Sequence, residues 1–127
     1  MKAIHSQSPD LKNVLASLYK TKLPGAISRK VLYMVLAFEK TQDEFSKEKL
    51  KLQKKYGTKD DKGELLIEDG KIVFTPEQRK KFDVEFNKLS VKEHSLGLLS
   101  QGDIELIPNI TSEELKILLD ASLIAAD

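Results

Sequence analysis

From Ala26 to Tyr56 the chain contains neither proline nor glycine, and most of its residues are good helix formers. That run predicts a single helix of about 30 residues, some 45 Å long at 1.5 Å per residue. Leu23-Pro24-Gly25 breaks the chain before it, and Gly57 is placed to end it as the residue just past the helix, where a left-handed backbone favours glycine. In a chain of 127 residues such a rod dictates the rest, because its apolar stripe has to be covered by neighbours. Val31, Phe38, Phe45 and Leu52 recur every seven residues, while Ile27, Met34, Val35 and Tyr56 widen the stripe towards the two ends. Gln42 and Lys49 are polar and narrow it in the middle. A strict parallel zipper is therefore not expected; packing against helices of the same chain is.

The flanking segments supply those helices. Ser8-Pro9-Asp10 combines a capping hydroxyl, a proline suited to the first turn and an acid at the positive end of the helix dipole. Leu11, Val14, Leu15, Leu18 and Tyr19 follow at helical spacing, which predicts one core-facing stripe. After a polar loop from Thr58 to Gly63, Leu65-Leu66-Ile67 and Ile72-Val73-Phe74 bracket Asp69-Gly70, a strong signal for a tight hairpin with Glu68 opposite Lys71. Thr75-Pro76-Glu77-Gln78 reads as a capping box opening a third helix, whose apolar side carries Phe82, Phe86 and Leu89. Val91 to Gly102 has no clear period, and Leu99, Ile104 and Leu106 suggest a short extended piece that adds a strand to the hairpin. Thr111-Ser112-Glu113-Glu114 repeats the capping pattern before Leu115, Leu118, Leu119 and Ile124. The expected fold is α+β and helix-dominated: antiparallel helices around one long central helix, with a small β-hairpin or three-stranded sheet.

A hydrophobic content of 40% in a chain of this length is enough for one core and too little for two, so a single domain over residues 1–127 is expected. No stretch reaches the roughly 20 apolar residues that cross a bilayer, and Met1 to Asp10 lacks the apolar run of a secretory leader. The expectation is a protein that stays in the cytosol and off the membrane. The absence of cysteine excludes disulfides, thiolate metal sites and cysteine nucleophiles. A net charge of +1 hides an uneven distribution: residues 1–62 carry 14 Lys/Arg against 7 Asp/Glu, and residues 63–127 carry 7 against 13. Such a division can steer head-to-tail self-association or an oriented docking on a partner. It is also what the solvated faces of soluble helices produce.

Reactive constellations are hard to find. His5 and His94 each lack a carboxylate or second histidine at ligand spacing, so neither a metal site nor a histidine base is expected. Asp60-Asp61 lacks the alternating acids of a calcium loop, and the six glycines form no phosphate cradle. The serines show no nucleophile elbow. No cofactor and no catalytic residue is proposed from this pattern. The candidates for partner or anion binding are Lys47, Lys51, Lys54 and Lys55 near the end of the long helix, and Ser28, Arg29 and Lys30 near its start. The lysines at 47, 49, 51, 54 and 55 are spread around the helix, with no arginine among them and one nearby ring, Tyr56, so nucleic-acid binding is not expected.

The order of features carries more than any one of them. A break and an Ala-Ile-Ser-Arg turn (Ala26 to Arg29) lead into the long helix ending at Lys55-Tyr56. KDDKGELLIEDGKIVFT and a Lys-rich helix with EFNKLS follow. Over about residues 11 to 107 this series resembles a family of small uncharacterised proteins of tailed bacteriophages and prophages. The resemblance implies a viral or prophage origin, expression in the bacterial host cytoplasm and a role beside phage structural or accessory genes, with incorporation in the virion as a further expectation. The function expected is that of a non-catalytic interaction protein, a virion assembly or accessory component that oligomerises or docks on a larger phage protein. The alternative is a counter-defence protein that binds a host immune protein or sequesters a nucleotide signal.

Overall fold

The structure is a computed structural model that describes residues 1–125; the last two residues of the expected domain, 126 and 127, lie outside the described residues. The chain opens with a 3₁₀ turn (Ala3–Gln7), then α1 (Pro9–Lys20) and α2 (Gly25–Tyr56). The hairpin strands β1 (Ile67–Glu68) and β2 (Lys71–Ile72) follow, then α3 (Pro76–Ser90), α4 (Gln101–Glu105) and α5 (Ser112–Asp120). Helix thus dominates, with a two-stranded antiparallel sheet, which is the α+β class expected. α2 runs unbroken for 32 residues, about 48 Å at 1.5 Å per residue, and every other long element lies against it or against α1.

α2 serves two apolar clusters in succession. Its first half sends Ile27, Val31, Met34 and Phe38 into the main core, where they meet Leu11, Val14, Leu15 and Leu18 of α1. Leu118 of α5 and Leu96, Leu99, Ile107 and Leu123 from the C-terminal connections close that core. Its second half buries Phe45 against α3. There Phe86 meets Phe45 edge-on at 5.8 Å between ring centroids, and Phe82 lies 5.4 Å from Phe86 and 5.0 Å from Phe74. Between the clusters the buried Thr41 hydroxyl donates to the Ala37 carbonyl at 2.8 Å, so a polar side chain sits on the core face without an orphaned donor.

The local signals act as chemistry requires. The Ser8 hydroxyl accepts from the Leu11 amide, and the Thr75 and Thr111 boxes close reciprocally with Gln78 and Glu114. Ile67 pairs with Ile72 and Glu68 with Lys71, and Asp69 and Gly70 take φ of 52° and 73°, as a primed two-residue turn demands. Asp60 organises the preceding loop: its Oδ1 accepts from the amides of Lys62 and Glu64 at 2.9 and 3.0 Å.

Four expectations need correction. Residues 101–105 are helical rather than a third strand, because Ser100 and Asp103 form their own capping box. The extra support for the hairpin comes from Thr58 instead, which donates to Val73 and accepts from Leu66 at 2.9 and 2.8 Å. Leu99, also assigned to that strand, makes a parallel bridge to Ile124. Gly57 is not left-handed: its φ is −66°, and glycine is required there because a Cβ would lie 2.6 Å from the Gln53 carbonyl oxygen and 2.6 Å from Leu65 Cδ2. Tyr19 and Leu119, both counted with core stripes, are 58% and 57% exposed, because each sits at the edge of its helix's buried arc.

Candidate functional site

The basic residues singled out from the sequence do not converge on one site. At the start of α2 the Ser28 hydroxyl donates back to the Leu23 carbonyl at 3.2 Å, and the Lys30 ammonium is 2.6 Å from Asp103 Oδ2. Arg29 is exposed and has no carboxylate within 4 Å among the described residues. Near the other end the helix sorts its lysines. Lys55 lies 3.5 Å from Glu85 of α3 and 5.0 Å from the Tyr56 ring centroid, and Lys49 reaches over Phe86 at 5.9 Å. Lys47, Lys51 and Lys54 share an outward face with Lys40, since spacings of three, four and seven return to one side of a helix. Two of these are matched along the helix, Lys47 to Asp43 at 2.9 Å and Lys51 to Glu48 at 3.1 Å.

The electrostatic consequences are local. The Asp43 carboxylate raises the Lys47 ammonium above its usual value, and Lys55 is raised by Tyr56 first and Glu85 second. Asp103 is held below the ordinary carboxyl range, first by Lys30 and next by the Ser100 amide at 2.9 Å. A carboxyl depressed in the folded chain stabilises it above the ordinary value of 3.8, and that contribution is lost as pH falls through the lower folded value. Asp103→Asn keeps an oxygen for the Ser100 amide but removes the charge facing Lys30. It is expected to lower stability by less than about 1 kcal/mol at neutral pH, with the gap from wild type narrowing as the pH falls below the ordinary carboxyl value of 3.8. Urea titrations across that range check this; a gap that does not change with pH would mean the ion pair contributes nothing.

The most distinctive surface feature is apolar. α1 and the first half of α2 leave between them a groove of about 390 Å³, walled by Leu15 and Tyr19 on one side and Leu32, Val35 and Leu36 on the other, with Phe38 reaching its floor. Leu36 is 52% exposed there. Lys12 and Lys20 stand on the α1 rim and Glu39 on the α2 rim. The sequence held a trace of it: 31, 32, 34, 35, 36 and 38 are all apolar, and an arc that wide exceeds what one core face can cover.

Among the described residues no group of three or more His, Cys, Asp or Glu could hold a metal ion, and no helix is long and apolar enough to cross a membrane. His5 turns a buried Nδ1 inward with no hydrogen-bond partner, while His94 serves through its backbone, which exchanges hydrogen bonds with Met1. Comparison with protein-family models, curated proteins and solved structures gives no match. The fold and surface define a helix-dominated α+β protein with an open, basic-rimmed apolar groove beside its longest helix.

Proposed function

We propose that this is a phage-encoded interaction protein that acts by docking rather than by catalysis, as an assembly or accessory component working in the bacterial host cytoplasm or carried in the virion. The observation that carries the docking part is the groove between α1 and α2, where Tyr19, Leu32 and Leu36 stand in solvent side by side. Contiguous exposed apolar surface rimmed by charge is what a protein contact covers, since removing it from water is favourable by about 25 cal/mol per Å². The phage part rests on the resemblance over residues 11 to 107.

The alternative, capture of a nucleotide signal, has weaker support. It needs free cations and a hydroxyl at the start of α2, yet Ser28 and Lys30 are already engaged within the chain. A thermal-shift screen against cyclic and linear nucleotides is expected to show no stabilisation; a saturable shift of several degrees would favour sequestration.

Copurification of the tagged chain from phage-infected or prophage-induced cells tests the main reading. Wild type is expected to retain a stoichiometric phage-encoded protein or further copies of itself, and Leu36→Asp to lose at least nine-tenths of what is retained. Retention unchanged by Leu36→Asp, or none with wild type and no self-association, would sink it.

A further inference from the structure

We propose that the hairpin and α3, residues 58–90, form an arm that opens from α2 as one unit while the main core stays folded, baring the aromatic surface on which Phe45 meets Phe86. The motion is independent of the groove between α1 and α2.

Burial separates the arm from the rest of the fold. Among the described residues of 58–90, Phe82 and Ser90 alone are buried, and Leu65, Leu66, Phe74 and Phe86 are half-buried. α1, in 12 residues, buries Leu11, Val14, Leu15 and Leu18. Buried apolar surface is what opposes opening, so α3 lies close along α2 yet is weakly held there. Phe45 and Phe82 stand apart from the main core, and the buried Thr41 interrupts the apolar face of α2 between the two clusters. Losing the second cluster therefore leaves the first one covered.

The arm is tied more firmly to itself than to α2. The Thr58 hydroxyl donates to Gln78 Oε1 at 2.8 Å, Phe74 lies 5.0 Å from Phe82, and the Arg79 guanidinium covers both rings at 5.6 and 5.9 Å. Across the seam to α2 the polar contacts are Lys49 over Phe86 at 5.9 Å and the solvated pair of Lys55 with Glu85 at 3.5 Å, a type of pair that contributes little. Hairpin and α3 thus leave together. Once released, α3 is a 15-residue helix, marginal in water by itself, so its backbone bonds open with the arm.

Both ends stay anchored. The Gly57 amide donates to the Gln53 carbonyl at 2.8 Å, and beyond α3 the Ala3 amide donates to Lys92 and the His94 amide to Met1, a residue of the main core. Just before that second anchor sits Ser90, whose hydroxyl is buried with no hydrogen-bond partner among the described residues. An orphaned hydroxyl penalises the closed arm, and water removes the penalty when the arm opens.

Native-state hydrogen exchange of the whole chain in low urea reads the opening. The α3 amides from Lys81 to Leu89 and the Val73 amide are expected to share one opening constant, larger by at least about a hundredfold than that of the Met34 and Phe38 amides. Its urea dependence should be shallower than that of global unfolding, because only the arm gains exposed surface. Leu118→Ala weakens the main core outside the arm and should speed exchange at Met34 and Phe38 while leaving α3 rates within about twofold. Ser90→Ala deletes the orphaned hydroxyl and should slow exchange in α3 by about fivefold. Equal opening constants for α3 and the main core in wild type, a comparison that needs no variant, would mean that the arm opens only with the whole chain and would overturn the proposal. So would α3 amides that speed up in Leu118→Ala as much as those of the core. Exchange in α3 that Ser90→Ala leaves unchanged or accelerates overturns the role given to the hydroxyl.

Discussion

Leu118→Ala is expected to cost about 3 to 4 kcal/mol of folding stability, a large share of the roughly 5 to 15 kcal/mol that holds a domain of this size together. Leu118 has 0% exposure and is the one side chain of α5 fully buried in the main core, among residues from α1 and α2 and beside Leu99 and Leu123. Truncation removes its methyl groups from a close-packed site and leaves a cavity that these neighbours can only partly fill. Its carbonyl also accepts from the Leu123 amide at 3.0 Å, and Leu123 in turn accepts from Leu99. Loosening α5 should therefore speed hydrogen exchange at the Leu99 and Ala125 amides. Leu119→Ala is the internal control: one residue along and 57% exposed, it should change stability by less than about 0.5 kcal/mol. Urea denaturation of the two variants checks the contrast, and equal effects would mean that α5 does not pack as described.

Gly57→Ala is the second large effect, expected to cost about 2 to 3 kcal/mol. Its backbone, φ −66° and ψ 148°, suits any residue, so the cost is not conformational. A methyl group would lie 2.6 Å from the Gln53 carbonyl oxygen, 2.6 Å from Leu65 Cδ2 and 2.9 Å from Ile72 Cγ2. One obstacle is backbone of α2 itself, and the other two belong to the hairpin resting on the helix end. Relief requires the hairpin to lift, which stretches the bonds from Thr58 to Val73 and from Leu66 to Thr58. Faster exchange at the Thr58, Leu66 and Val73 amides, with the Leu99 amide unchanged, would place the damage in the second cluster. A variant as stable as wild type would mean that the hairpin and α2 do not approach this closely.

Much of the scaffold around the candidate site was legible, and the reasons are local. Asp69-Gly70 had to turn because two consecutive positive φ values are tolerated best by such residues. Thr75 and Thr111 had to start helices because each brings its own reciprocal partner three residues on. The same logic was present at Ser100 and Asp103 and outweighed the strand-like look of Ile104 and Leu106. The groove was not legible in the same way. Leu32 and Leu36 differ from Val31 and Met34 only in which neighbour lies opposite them, and that depends on where α1 crosses α2. The basic residues were visible as a composition, whereas their engagement was not: Lys30 meets Asp103 across 73 residues of sequence.

The amino-acid order by itself determined the breaks, caps, turn and the unbroken run of α2, because each depends on groups within about four residues of one another. Only the tertiary structure decided which leucines are covered and which stand in solvent, why position 57 must be glycine, and which charges are left without a partner. Those outcomes are set by contacts between segments far apart in the chain, where side chains that look alike along a helix are separated by the shape of what packs against them.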